Sequence, residues 1–145
     1  MSLGGSFRRA GARLGAWMYR RTNGRALTSR RAPRVLLLTT PGRLSGEPRS
    51  TCVAFLESDG GWVVWGTGSG ARQDPHWFRN LRAAGQTEVQ VLNRHTRATV
   101  HEYTGVERDT VWRDLVTARV PGVTRYAAKA GRTIPVAILR PIGGE

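Results

Sequence analysis

Between Phe7 and Arg21 the apolar residues Phe7, Ala10, Leu14, Trp17 and Met18 recur at helical spacing, while Arg8, Arg9, Arg13, Arg20 and Arg21 fill other positions. The spacing predicts a basic amphipathic helix, broken by Asn23-Gly24. From Val35 the pattern changes: Val35-Leu36-Leu37-Leu38-Thr39-Thr40 is β-rich with no helical repeat and reads as a buried strand. Pro41 to Arg49 is dense in turn formers, a strand resumes from Ser50 to Glu57, and Ser58-Asp59-Gly60-Gly61 reverses the chain into Trp62-Val63-Val64-Trp65. A glycine-rich loop, Gly66 to Ala71, leads to Asp74-Pro75, which reads as an N-cap followed by proline at the first helical position.

The helix so announced runs from His76 to Ala83, with Trp77, Phe78 and Leu81 on its apolar face and Gly85 at its end. Glu88 to Leu92 and Arg97 to Tyr103 read as strands around a turn at Asn93-Arg94-His95-Thr96. Thr104-Gly105-Val106-Glu107 has capping-box spacing and opens a helix that turns Val111, Trp112, Leu115 and Val116 inward before Pro121-Gly122. A short helix through Tyr126 and a last strand from Ile134 to Leu139 complete the plan. Most neighbouring strands are joined by turns too short for parallel crossovers, so the prediction is mainly β (α+β): a six-stranded antiparallel barrel with flanking helices. At 145 residues the chain suits one core. We expect a helix over 1–24 and a barrel domain over 25–145.

The formal charge of +13 comes from 23 Lys plus Arg against 10 Asp plus Glu, and Lys129 is the only lysine. Arginine forks grip phosphate and carboxylate, so the expected partner is anionic: nucleic acid, an acidic membrane surface or a polyanionic small molecule. One cysteine, Cys52, permits no intrachain disulfide and fits a reducing, cytoplasmic compartment. No run of eighteen apolar residues is present, and the basic start without a continuous apolar stretch leads us to expect no secretory signal. The basic helix either lies on an anionic membrane, with Trp17 and Tyr19 at the headgroup level, or packs on its own domain; the two are compatible. Membrane adsorption puts the protein peripherally on the inner face of the plasma membrane.

Familiar catalytic machinery is scarce. His76, His95 and His101 lack ligand spacing and one thiol cannot build a zinc site, so no metal is expected. Cys52 falls within a strand, where an inert buried thiol is the default. What remains is a group of anion-binding features: Arg43 and Arg49 around a hairpin tip, the loop Thr67 to Ala71, and the helix start at Asp74 to His76. A phosphate-bearing cofactor with an acidic tail satisfies all of them, and a cofactor that brings its own redox chemistry needs no protein nucleophile.

These residues also carry a resemblance. Leu37-Leu38-Thr39-Thr40-Pro41-Gly42-Arg43-Leu44-Ser45-Gly46-Glu47-Pro48-Arg49 is similar to the leading signature of the deazaflavin (coenzyme F420)-dependent nitroreductase and quinone reductase family. Gly70-Ala71, Asp74-Pro75-His76-Trp77-Phe78-Arg79-Asn80-Leu81, Val89-Gln90-Val91 and Arg132-Thr133-Ile134-Pro135-Val136 agree in the same order, from about Trp17 to Pro141. The resemblance implies a split β-barrel related to the FMN-binding split barrels, an F420-dependent reductase, and a quinone-like or nitro-containing acceptor. It implies that Arg43 and Arg49 bind the cofactor's phosphate and acidic tail, that Leu44 and Ser45 lie in the same stretch of contacts, and that Thr67, Gly68, Ser69, Gly70 and Ala71 supply backbone donors. Pro75, His76 and Asn80 then line the cofactor or support that loop, and Cys52, Val53 and Ala54 form the strand beside it. Thr67 matches a family serine near the deazaflavin and Tyr126 a tyrosine over the substrate side, which implies hydrogen bonding, substrate orientation and proton delivery.

The chain departs from the pattern at Leu44, where lysine or arginine is usual, at Cys52, where proline is usual, and at Ala54, Val120 and Val123, where relatives carry tyrosines. The expected mouth is therefore less aromatic, and a quinone-like acceptor is preferred over bulky nitro compounds. The same residues leave other readings open: a deazaflavin carrier without turnover, FMN in place of F420, or a basic nucleic-acid-binding barrel. Trp62, Trp65, Trp77 and Trp112 fall in strands or on apolar helix faces, which favours the core over base stacking, so no nucleic acid is expected.

Overall fold

A computed structural model describes the backbone of residues 3–22 and 34–142, with side chains for 13–22 and 34–142. Helix α1 (Leu3–Thr22) is followed by strands β1 (Val35–Pro41), β2 (Pro48–Ala54), β3 (Leu56–Ser58) and β4 (Gly61–Trp65). A short 3-10 turn (Gly68–Gly70), α2 (His76–Ala84), β5 (Gln86–Val91) and β6 (Arg94–Tyr103) come next. Then α3 (Gly105–Val111) runs through a π turn (Trp112–Val116) into α4 (Thr117–Arg119), and α5 (Val123–Ala130) precedes β7 (Val136–Pro141).

All strand pairs are antiparallel and form one sheet in the order β2-β1-β5-β6-β7-β4-β3. Its two edge strands, β2 and β3, are consecutive in sequence with only Phe55 between them, so the sheet must curl until its edges meet. This is the expected antiparallel barrel with seven strands in place of six. The stretch from Ser50 to Glu57, expected as one strand, changes partner at Phe55: Ala54 pairs with Val35 on β1, whereas Leu56 pairs with Val63 on β4.

Strand alternation sorts the side chains into two faces. Leu36, Leu38, Val53, Phe55, Trp62, Val64, Val89 and Leu139 fill the barrel, and Phe78 and Leu81 of α2 join them. On the other face, Val63, Trp65, Val136 and Ile138 are covered by Val116, Val123 and Ala130. Strand β4 is therefore buried on both sides, which is why it reads as an unbroken apolar run. Trp77 and Trp112 pack against these clusters, as their apolar positions imply.

Helix α1 lies on the outer face of β1 and β2 through Ala16 and Tyr19, against Val35, Leu37 and Cys52. Tyr19 is 0% exposed; its hydroxyl donates to the Val35 carbonyl at 2.9 Å and accepts from the Leu92 N–H at 2.9 Å. This corrects the headgroup position expected for Tyr19, because its ring is buried under α1 and two backbone groups, the Val35 carbonyl and the Leu92 N–H, hold its hydroxyl. Trp17, 58% exposed, Leu14, Arg13, Arg20 and Arg21 do face outward. The side chains of Phe7, Arg8, Arg9 and Ala10 and the expected break at Asn23-Gly24 lie outside the described residues.

Three local expectations shift. The β5–β6 turn is the two residues Leu92-Asn93, with Leu92 at φ 54, so β6 begins at Arg94 rather than Arg97 despite the polar sequence there, and β5, which ends at Val91, begins two residues early at Gln86. Pro75, with extended ψ of 152, occupies the N-cap of α2 in place of Asp74, whose carboxylate is engaged by two arginines. Thr104 is the N-cap of α3 but makes no side-chain cap bond, and Glu107 meets His101 Nε2 at 3.1 Å in place of closing a capping box.

Candidate functional site

The hairpin tip between β1 and β2 is built around Arg43. Gly42 and Gly46 close the turn through Gly42 N–H to the Glu47 carbonyl and Gly46 N–H to the Gly42 carbonyl, both 2.8 Å. From this turn the Arg43 backbone N–H and Nη1 donate to Asn80 Oδ1 at 3.1 and 2.7 Å, and Nη2 meets His76 Nδ1 at 3.1 Å. Asn80 is buried in α2, 6% exposed, so it fixes the arginine and the tip at once. Asn80, expected to line the cofactor or support the glycine-rich loop, commits its acceptor to Arg43.

Arg49 lies opposite Thr40 across the β1–β2 ladder, on the face of Leu38 and Val53, and emerges exposed at the barrel's mouth. Leu44 is 91% exposed on the tip, and the Ser45 hydroxyl accepts the Glu47 N–H. Farther along β2, Val53 points into the core, whereas Cys52 faces α1 beside Leu37 and Gly15. Burial pushes the Cys52 thiol up to about 11, against the opposing effect of the Arg20 guanidinium. Ala54 packs with the outer cluster. Because β2 is an edge strand, the segment 52–54 presents its backbone edge rather than these side chains.

The glycine-rich loop adjoins this tip through α2. Pro75 lies against Gly66 and Gly68, and the next residue, His76, reaches Arg43. Thr67 has right-handed backbone (φ −69, ψ −31), Gly68 a φ of 55 and Ser69 a φ of 55, a sequence of conformations that gathers successive N–H groups into a concavity. The donors are fewer than expected: Gly70 and Ala71 spend their N–H groups on the carbonyls of Thr67 and Gly68, at 3.0 and 3.1 Å. Thr67, Gly68 and Ser69 carry the concave face. The Thr67 side chain is half-buried and makes no hydrogen bond among the described residues.

Gly70, at φ 84, lies under the stem of Lys129, whose carbons come within 2.7 Å of where a Cβ would stand. Helix α5 thereby roofs the loop and carries Tyr126, 46% exposed, one turn before Lys129. The structure thus joins Arg43, Asn80, His76, Pro75 and the loop into one arc, with Tyr126 on the helix above it and Arg49 beside it.

Arg132 was not singled out as a site residue by its sequence context, and Asp74 was expected as part of an anion-binding helix start rather than as an arginine partner. Arg132 donates to the carbonyls of Gly66, Thr67 and Ala71 and to Asp74 Oδ1. Asp74 also pairs with Arg82 at 3.1 Å, which binds Glu102 at 2.6 Å; the Glu102 hydrogen bond raises the Arg82 pKa above its ordinary value despite desolvation. The only hint in the sequence was the place of Arg132 in the C-terminal signature. A depression of about 380 Å³ beside the arc is lined by Arg72, Gln73, Asp74, Arg79, Arg82 and Arg132.

The arc can hold an anionic group on loop N–H donors and arginine, with hydroxyls from Thr67 and Tyr126 near it. Comparison with known proteins gives the same direction. The chain is 28% identical over 125 residues to an F420H(2)-dependent quinone reductase of Mycobacterium tuberculosis (strain ATCC 25618 / H37Rv), covering 84% of each chain. Among solved structures it resembles an F420-H2 dependent reductase, FDR-A, with a TM-score of 0.64, 29% identity, and 73% of this chain and 93% of that one covered. A chain solved as a domain-swapped dimer gives a TM-score of 0.66 at 26% identity, covering 86% and 97%. The family model of the F420H(2)-dependent quinone reductases matches residues 11–141, which takes in every element from most of α1 to β7. With the barrel, the arginine-bearing tip and the glycine-rich loop all inside that match, this chain belongs to the F420H(2)-dependent quinone reductase family.

Proposed function

We propose that this chain binds reduced coenzyme F420 on the arc from Arg43 to Ser69 and passes a hydride to a quinone. The observation that carries the reading is the continuity of the arc: one helix start, Pro75-His76, touches both the arginine-bearing tip and the glycine-rich loop. The residues fit an anionic cofactor. The Thr67-Gly68-Ser69 backbone turns its donors to one concave side.

In this reading Arg43 and Arg49 hold the cofactor's phosphate and acidic tail, and Leu44, Ser45 and the backbone edge of residues 52–54 flank it. When bound, the reduced deazaflavin supplies the hydride. Thr67 and Tyr126 orient the acceptor's carbonyl oxygens by hydrogen bonding, and their hydroxyls relay the proton that completes the quinol. The outward Leu14, Trp17, Arg13, Arg20 and Arg21 of α1 support contact with an anionic membrane, where lipophilic quinones dissolve. No helix among the described residues is long and apolar enough to cross a membrane.

The test is titration of the purified protein with F420 and, in parallel, FMN, followed by tryptophan fluorescence, and then oxidation of reduced F420 with menaquinone analogues and nitro compounds. We expect saturable binding of F420 and turnover with quinones. Arg43→Ala with Arg49→Ala should weaken binding by about 1.5–3 kcal/mol each. Binding without turnover on any acceptor would convert the reading into that of a carrier, and binding of FMN alone would remove F420 from it.

A further inference from the structure

Building on the cofactor reading above, we propose that Arg132 is a positioning residue: by holding the carbonyls of the glycine-rich loop from behind, it aims the loop's N–H groups at the cofactor. Its side chain is 15% exposed and spends its donors on four acceptors. Nε donates to the Ala71 carbonyl at 3.0 Å, Nη1 to Asp74 Oδ1 at 2.7 Å, and Nη2 to the carbonyls of Gly66 and Thr67, each at 3.1 Å.

The consequence follows from peptide geometry. In a planar trans peptide the C=O and the next N–H point in opposite directions. A Gly66 carbonyl drawn onto Arg132 therefore sends the Thr67 N–H the other way, and a Thr67 carbonyl drawn onto Arg132 does the same for Gly68. These two N–H groups begin the concave donor face. The guanidinium also places a fixed positive charge behind the loop, which favours an anion in front of it. Asp74 keeps the fork in register, and Arg82 and Glu102 tie Asp74 to β6, so the orientation of the loop is anchored to the sheet.

The experiment compares full-length wild type, Arg132→Ala and Arg132→Lys by F420 binding, steady-state kinetics, thermal melting and amide hydrogen exchange. Lysine keeps a charge beside Asp74 but cannot fork across three carbonyls. In R132A the Kd and KM for F420 should rise at least about tenfold, and the amides of Gly70 and Ala71, which bond the carbonyls of Thr67 and Gly68, should exchange faster while β4 and β7 stay protected. R132K should melt close to wild type yet recover only part of the affinity, a split that a merely structural role does not produce; it also carries the test if R132A fails to fold. Wild-type affinity in R132K, or unchanged exchange at Gly70 and Ala71 in R132A, overturns the proposal. If wild type itself binds no F420, the cofactor reading fails, and the exchange comparison still decides whether Arg132 sets the loop.

Discussion

Beneath α1 the Cys52 thiol is held against Leu37 and the Gly15 backbone, and its pKa stands at about 11 against an ordinary value of 9.0. A group raised on folding contributes stability that is complete below its unfolded pKa and is lost as pH climbs through the folded one. The contribution of Cys52 should therefore disappear between about pH 9 and 11. Tyr19, also raised by burial, adds a loss at the alkaline end. Urea midpoints measured from pH 7 to 11 should fall less steeply for Cys52→Ala than for wild type; parallel curves would acquit the thiol. The strand pattern made the place of Cys52 on a strand legible in the sequence. It did not reveal that α1 covers this thiol, because the contact joins residues from distant parts of the chain. Asn80 shows the same limit: its helix was legible, but its bond to Arg43 spans 37 residues and depends on how α2 enters the barrel.

Among the elements, the loop at Gly68–Gly70 and its roof α5 are the most tightly specified. A methyl at position 70 meets both a left-handed φ of 84 and the Lys129 stem at 2.7 Å. Gly70→Ala should destabilise the protein by about 1–3 kcal/mol, and adding Lys129→Ala should return the part due to the outer stem carbons, a recovery that thermal melting measures directly. Full stability in G70A would mean that α5 does not press on the loop. Strands and helices were legible where turn residues separate apolar runs, as at Asp59-Gly60 and Gly85. The division at Phe55 was not, since Ser50 to Glu57 has no turn former and only the closing of the sheet makes the chain change partner there. Likewise, Asp74 has the composition of a helix cap, and its use as an ion-pair hub appears only when Arg132 arrives from 58 residues away.

For the whole molecule, the excess of arginine acquires a direction. Arg13 and Arg21 face outward on α1 with Leu14 and Trp17, away from the face that Ala16 and Tyr19 bury, and Arg20, also exposed, donates to Ser50 Oγ on β2 at 2.7 Å. Each arginine near an anionic surface is worth about 1 kcal/mol, so the protein should float with anionic vesicles, release as salt rises, and ignore neutral ones. Leu14→Ser with Trp17→Ser should lower the floating fraction several-fold; equal flotation of that variant would assign the binding to other surfaces. The strand order has a further consequence, for synthesis. Strand β7 follows every other described strand in chain order, yet it lies between β6 and β4. Until β7 has been made, β4 has no inner neighbour in the sheet, and the backbone edge of its Trp62-Val63-Val64-Trp65 run stands open. The nascent protein is therefore most vulnerable to aggregation in the interval before its final strand emerges, however quickly the preceding hairpins form.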